Sequence, residues 1–172
     1  MSEQLHSVSA AALHLSDAEL REIDAEIAHA PYRAAVAIDA LKIIQAHRRW
    51  VSDDSLEALA AYLEMPAAEL EGIATFYNLI FRQPVGENVI LVCNSVSCWI
   101  KDCEGIRSAV SAQLGIEPGE TTADGRFTLL PITCLGACDK APVMMVGDNK
   151  FEDVTVERIP AILEHAEGAT PG

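Results

Sequence analysis

The sequence lacks the features that mark membrane, secreted and nucleic-acid-binding proteins. None of its apolar runs approaches the roughly 20 residues of a membrane-spanning helix, and residues 1–12 have neither the basic start nor the apolar stretch of a secretory signal. Basic residues are scarce: 12 Lys and Arg against 26 Asp and Glu give a formal net charge of −14. We therefore expect a soluble, cytoplasmic protein that inserts into no membrane and binds no nucleic acid.

The motifs of several familiar catalytic sites are also missing. The sequence has no Cys-x2-Cys pair, which argues against dithiol exchange of the thioredoxin type. It has no glycine-rich loop that could hold phosphate, and its five histidines are scattered without the spacing of metal ligands. The five cysteines are therefore the candidate functional residues. Clustered cysteines in a reducing compartment more often bind metal or act in catalysis than form disulfides.

Hydrophobic periodicity predicts two domains of different kinds after a short flexible N-terminus, residues 1–15. In residues 16–80, apolar side chains recur at helical spacing, and Ser16 with Glu19 has the pattern of a capping box. This part of the chain is predicted to be a small helical bundle. Residues 81–172 instead alternate short apolar runs with helical stretches. The predicted fold class is α+β, a helical bundle followed by a compact α/β layer.

Within the second domain, the predicted elements follow the order β-α-β and then β-β-α. The strands are expected at residues 89–92 and 127–130 and in a hairpin over 143–151, and the helices at 101–114 and 157–166. A parallel βαβ unit, joined to a hairpin and a closing helix, makes a compact α/β layer fold.

Four of the cysteines form two pairs, each on a loop just after a predicted strand: Cys93 with Cys98, and Cys134 with Cys138. If the two strands are parallel neighbours, both loops leave the same edge of the sheet and four thiolates can converge there. Four thiolates hold either zinc or an iron–sulfur cluster. Two separated pairs match a binuclear cluster in which each pair binds one iron, and we expect this centre. A structural zinc module used for protein contacts is the alternative.

The residues around these pairs suit an anionic centre. The predicted helix from about residue 101 would direct its N-terminal amides towards Cys98. Residues 135–137 can aim backbone N–H groups at sulfur, and Gly136 permits a left-handed turn or a close backbone approach. Trp99 is expected to pack against its neighbours and to shield the centre from water. Cys103 is expected to be a structural thiol, although a thiol oxidoreductase that uses Cys103 with a neighbour is a third class of function.

Two stretches of the chain carry a resemblance to a known family: FYNLIFRQPVGENVILVCNSVSCWIKDCEGI and TTADGRFTLLPITCLGACDKAPVMM. They are similar to the thioredoxin-like [2Fe–2S] subunit of NADH:quinone oxidoreductase, which belongs to bacterial respiratory complex I. The likeness covers about residues 16–166 and depends on the combination of Cys-x4-Cys with Cys-Leu-Gly-x-Cys-Asp. It implies a thioredoxin-like second domain and one [2Fe–2S] cluster. The implied ligands are Cys93, Cys98, Cys134 and Cys138.

The same resemblance implies a role in electron transfer. Such subunits dock on a flavin-bearing, NADH-oxidising partner subunit, which binds the FMN and the NADH, and their cluster exchanges single electrons with the flavin. The subunit binds neither NADH nor quinone and has no complete active site of its own. It lies at the cytoplasmic face of the membrane and is attached there through the complex. The equivalent subunit of an NAD-linked hydrogenase or formate dehydrogenase is the alternative assembly.

Overall fold

The computed structural model describes residues 15–168, and the chain divides into two compact units between Pro84 and Val85. The predicted flexible segment, residues 1–15, therefore lies almost entirely outside the described residues. Every helix within residues 15–168 is too short or too polar to span a bilayer.

The first unit is helical from its first described residues. Its α-helices are Asp17–Ile27 (α1), Ala37–Arg48 (α2), Asp53–Tyr62 (α3) and Ala67–Phe76 (α4), with a 3-10 turn at Arg33–Val36 before α2. The predicted capping box is confirmed at the start of α1. The backbone N–H of Glu19 donates to the Ser16 hydroxyl at 3.2 Å, and the Ser16 N–H donates to the Glu19 carboxylate at 2.6 Å.

The four helices enclose one core of aliphatic side chains, because each helix turns one apolar face inwards. The largest fully buried members of this core are Ile23, Leu41, Ile44, Leu59, Leu63 and Leu70. The predicted helical bundle is thus present, with α2 in contact with all three other helices.

The first unit ends later than the predicted boundary, which assigned Phe81 to the second domain. The Val51 N–H donates to the Phe81 carbonyl at 2.8 Å. Arg82 donates to the Val51 carbonyl and forms ion pairs with Asp53 at 2.7 Å and Glu71 at 2.9 Å. These contacts hold residues 81 and 82 against α3 and α4, so the helical unit ends only at Pro84.

The second unit is a four-stranded sheet with helices. Its strands are Asn88–Cys93 (β1), Phe127–Ile132 (β2), Met144–Val146 (β3) and Asn149–Phe151 (β4), and its α-helices are Val96–Ile100 (α5), Cys103–Leu114 (α6) and Ile159–Gly168 (α7). The strand order is β2-β1-β3-β4. β1 and β2 are parallel, whereas β3 pairs antiparallel with both β1 and β4. The predicted βαβ-ββα order is confirmed, with α5 as an added element.

The sheet and the two longer helices of this unit share a second core. It is centred on Ile90, Phe127, Leu129 and Met144 from the strands, with Val110 from α6 and Ile159 from α7. The entry to β1 is also tightly constrained. A Cβ on Gly86 would lie 3.0 Å from the backbone carbons of residues 126 and 127, and the Gly86 N–H donates to the buried Thr128 hydroxyl at 2.6 Å. This close approach fixes the start of the β1–β2 pairing.

Candidate metal centre

The pairing of β1 with β2 brings the two cysteine loops to one end of the sheet. Cys93 is the last residue of β1 and stands opposite Ile132, the last residue of β2. The Cys93 N–H donates to the Val143 carbonyl at 3.2 Å, and the Asn94 N–H donates to the Ile132 carbonyl at 3.0 Å. Cys134 follows two residues later, so the predicted convergence of the two loops at one edge is confirmed for their starting points.

A short helix that the sequence did not predict carries the second cysteine of the first pair. α5 begins after Ser95 and spans only Val96–Ile100, and Cys98 points inwards with 2% of its surface exposed. α6 then begins at Cys103 with Asp102 as its N-cap, whose carboxylate accepts from the Gly105 N–H at 3.1 Å. The Asp102 carboxylate therefore accepts one of the free N–H groups at the start of α6, and the expectation that the α6 amides face Cys98 stays a prediction.

The second loop presents its two thiols to solvent. Cys134 and Cys138 are both exposed, and Cys138 opens a 3-10 turn that extends to Lys140. Gly136 has a φ of 74°, so of the two possibilities expected for it the structure shows the left-handed turn. In this conformation its N–H donates to the Cys134 Sγ at 3.3 Å.

Cys93 lies at the centre of the gathered thiols. Burial alone would raise its pKa, but the backbone N–H groups of Ser95 and Leu135 donate to its sulfur, and the thiols of Cys98 and Cys134 lie beside it. The net effect lowers the pKa of Cys93 below its ordinary value of 9.0. The two N–H donors come from different loops, so both loops favour a negative charge on this sulfur.

Cys98 has the opposite electrostatic balance. Burial, reinforced by the adjacent Cys93 sulfur, raises the pKa of Cys98 to about 11, although the Val143 N–H acts against the shift. The surroundings therefore favour the thiolate form at Cys93 and the thiol form at Cys98.

Of the predicted ligands, Cys93 has both Cys98 and Cys134 as neighbours. The role of Cys138 as the fourth ligand stays a prediction. All five cysteines are free thiols. Across residues 15–168, no three side chains of His, Cys, Asp or Glu are arranged around one metal ion.

Cys103 lies in the first turn of α6 and is buried, with 2% of its surface exposed. Its burial, and then the nearby Glu104 carboxylate, raise the pKa of its thiol. Trp99 was expected to pack, but it is 64% exposed. Since Cys98 points inwards, Trp99 on the next position of the same short helix points outwards. The one indication of α5 in the sequence is the spacing of its apolar residues at positions 96, 99 and 100, which fall on one face of a helix.

The chain also resembles known proteins over most of its length. Residues 23–167 match the family model of the thioredoxin-like [2Fe–2S] ferredoxins. The chain is 50% identical over 153 residues to the E subunit of the NADH-quinone oxidoreductase of Escherichia coli (strain K12), and the match covers 89% of this chain and 92% of that protein. It is 47% identical over 150 residues to the E subunit of the NADH-quinone oxidoreductase of Pseudomonas aeruginosa, with 87% and 90% covered.

Among solved structures, an NAD+-reducing [NiFe]-hydrogenase in the air-oxidized state shares the fold, with a TM-score of 0.66 at 24% sequence identity over 79% of this chain and 23% of that chain. At this identity the likeness concerns the fold alone. The family match and the similarity to the two bacterial proteins nevertheless extend through both cysteine loops and most of the helical unit. This chain belongs to the thioredoxin-like [2Fe–2S] ferredoxin family.

Proposed function

We propose that this chain is an electron-transfer subunit of an NADH-quinone oxidoreductase and that it binds one [2Fe–2S] cluster. The proposed ligands are Cys93, Cys98, Cys134 and Cys138. The observation that carries the proposal is the gathering of thiols from two separate loops at the shared end of the parallel strands β1 and β2. The similarity to the E subunits of two bacterial NADH-quinone oxidoreductases supports the assignment to that enzyme.

The groups around the thiols fit a cluster of this kind. A bound [2Fe–2S] cluster supplies a centre that takes up and releases one electron. Its thiolate ligands carry negative charge, which N–H donors stabilise. Cys93 receives N–H groups from Ser95 and Leu135. Cys134 receives the Gly136 N–H at 3.3 Å. The chain thus provides hydrogen-bond donors to sulfur in both loops.

We further propose that the electron-exchange partner is the flavin-bearing, NADH-oxidising subunit of the same complex, which binds the FMN and the NADH. The sequence offers no glycine-rich loop that could hold either nucleotide. Its net charge of −14 disfavours contact with an anionic membrane surface. On the similarity to the E subunits of NADH-quinone oxidoreductases, we propose that the subunit lies at the cytoplasmic face, attached through the complex. The alternative assembly, an NAD-linked hydrogenase, is supported by a likeness in fold alone.

The ligand set is tested by metal and sulfide analysis of the full-length chain purified without oxygen. We expect a brown protein with about two iron and two sulfide per chain and an electron paramagnetic resonance signal after reduction. Cys134→Ser should lose most of the cluster, whereas the matched variant Cys103→Ser should keep it. A colourless protein with zinc, or loss of iron only in Cys103→Ser, would contradict the assignment.

The role is tested by mixing the loaded chain with the purified flavin-bearing subunit and adding NADH. Bleaching of the visible absorption of the cluster should require both NADH and the partner. Reduction by NADH without the partner would contradict the proposal that the nucleotide binds elsewhere. No reduction in the complete mixture, although dithionite reduces the cluster, would contradict the proposed exchange.

A further inference from the structure

Val143 contacts both cysteines of the first pair, although it belongs to neither cysteine loop. It comes one residue before β3, and its carbonyl accepts the Cys93 N–H at 3.2 Å. Its own N–H donates to the sulfur of Cys98 on α5. Val143 and Cys98 are each 2% exposed, so this contact is made away from water. The backbone of one residue thus connects the end of β1 with the buried thiol of α5.

The pairing of β1 with β3 shows why this N–H is available. The paired residues end at Val92 and Met144, and Val143 follows beside Cys93. In a regular antiparallel ladder, two residues that form a hydrogen-bonded pair exchange two bonds, one in each direction. Among the described residues, the Cys93 N–H makes its bond to Val143, but the Val143 N–H is given to sulfur and not to the Cys93 carbonyl. The ladder therefore leaves one donor free for Cys98.

The segment before Val143 is fixed from its other side. The Val154 N–H donates to the Pro142 carbonyl at 3.0 Å, and the Asp153 N–H donates to the Lys140 carbonyl at 2.9 Å. Backbone hydrogen bonds on both flanks of residues 140–143 therefore fix the direction of the Val143 N–H.

We infer that Val143 is a positioning residue for the proposed [2Fe–2S] cluster: its carbonyl orients Cys93, and its N–H orients the Cys98 sulfur and raises the reduction potential of the cluster. This inference rests on the proposed function, and it adds a residue that acts through two of the proposed ligands. Reduction adds one negative charge, and an N–H donor to a thiolate ligand stabilises that charge. The donor acts most strongly where water is excluded, as it is at Cys98.

The N–H is tested by an amide-to-ester replacement at residue 143, which exchanges the N–H for an oxygen and keeps the valine side chain. A redox titration of the cluster-loaded full chain, followed by electron paramagnetic resonance, measures the midpoint potential. The equilibrium constant for reduction should fall about tenfold, which for a one-electron couple lowers the potential by about 59 mV. An unchanged potential would overturn the inference.

The matched control is the same backbone replacement at residue 154. An ester at residue 143 also weakens the Pro142 carbonyl as an acceptor, and this carbonyl accepts the Val154 N–H. The ester at residue 154 removes that bond entirely but leaves the Val143 N–H in place, so its midpoint potential should equal that of the unaltered chain. An equal fall in both variants would trace the effect to the segment rather than to the sulfur, and the inference would then be wrong.

A second measurement needs no change to the backbone. In a chain labelled with ¹⁵N-valine, pulsed electron paramagnetic resonance of the reduced cluster should detect coupling to a valine amide nitrogen through the N–H···S bond. Val143→Ile in the same labelled medium keeps the N–H but removes the label from this position, so the coupling should disappear while the midpoint potential stays. Absence of coupling in the unaltered chain, or unchanged coupling in Val143→Ile, contradicts the inference even if the ester at residue 143 takes up no cluster.

The outcomes separate this inference from the proposed function. If the unaltered chain takes up no iron and sulfide, both are refuted. If the chain holds the cluster, but its potential is unaffected by the ester at residue 143, the role of Val143 is refuted while the ligand assignment stands.

Discussion

Replacing Arg48 by alanine removes one half of a buried ion pair that joins α1 to α2. The Glu19 carboxylate is 1% exposed, whereas the Arg48 side chain is 33% exposed. Arg48 Nε and Nη2 donate to the two oxygens of Glu19 at 2.6 and 2.7 Å, and the Ser16 N–H donates to the same carboxylate. Arg48→Ala leaves this carboxylate buried without the guanidinium.

The size of the effect follows from which partner stays buried. Removing one member of a fully buried pair costs about 3–5 kcal/mol. Because Arg48 is about one third exposed, water screens part of the interaction, and we expect a loss of about 2–3 kcal/mol in the free energy of unfolding at pH 7.

The loss should depend on pH in a defined direction. Burial would raise the pKa of Glu19, but hydrogen bonds from Arg48 and Ser16 outweigh it and lower the pKa below its ordinary value of 4.5. A carboxyl group with a lowered pKa stabilises the fold above its unfolded-state pKa, and this stabilisation is lost as the pH falls through the folded-state pKa. In Arg48→Ala the burial of Glu19 is opposed only by the Ser16 hydrogen bonds. The loss in the free energy of unfolding should therefore be full at pH 7 and should become smaller below about pH 4.5, where the carboxylate is protonated.

Urea denaturation followed by Trp50 fluorescence measures this change in the helical unit. The chain has two tryptophans, and a Trp99→Phe background leaves only the one in the first unit. Arg21→Ala, an exposed substitution on α1, is the control and should change stability by less than about 0.5 kcal/mol. A loss from Arg48→Ala no larger than the control, or one equally large at pH 7 and pH 4, would refute the reasoning.

Three further predictions concern the second unit. Thr128→Val removes the hydroxyl that accepts the buried Gly86 N–H at 2.6 Å. Urea denaturation followed by Trp99 fluorescence in a Trp50→Phe background should show a loss of about 1–3 kcal/mol in the free energy of unfolding. Gly86→Ala places a Cβ 3.0 Å from backbone carbons and should cost about 1–3 kcal/mol in the same assay. In the cluster-free folded chain, iodoacetamide should label the exposed Cys134 and Cys138 before the three buried cysteines, as peptide mass spectrometry would show. Equal labelling rates would contradict this burial pattern.

The features that the sequence predicted correctly have local signals. The capping box at Ser16 and Glu19 depends on residues three positions apart, and the left-handed turn at Gly136 depends on one residue type. The parallel pairing of β1 and β2 follows from two apolar runs joined by a helix, because a helical crossover returns the chain to the same end of the sheet. From these elements alone, the ends of both strands and the loops after them could be located.

The features that the sequence did not reveal depend on contacts between distant residues or on elements too short to show a period. α5 has five residues, fewer than two helical turns. So short a segment does not show a helical period clearly enough to be distinguished from a loop. The exposure of Trp99 follows from α5 and was missed with it. The late end of the first unit depends on Arg82, whose partner Asp53 lies 29 positions away in the sequence.

The two cysteine pairs are held by different physical means, and this difference affects how the proposed cluster would assemble. Cys93 is fixed by the sheet, through its place opposite Ile132 and its hydrogen bond to Val143. Cys134 and Cys138 are exposed on a loop that gives the Gly136 N–H to the Cys134 sulfur and the Leu135 N–H to the Cys93 sulfur. Metal binding contributes most order where the protein alone provides least. On the proposed ligand assignment, the buried pair Cys93 and Cys98 is the preformed half-site, and iron binding adds most order to the exposed pair Cys134 and Cys138.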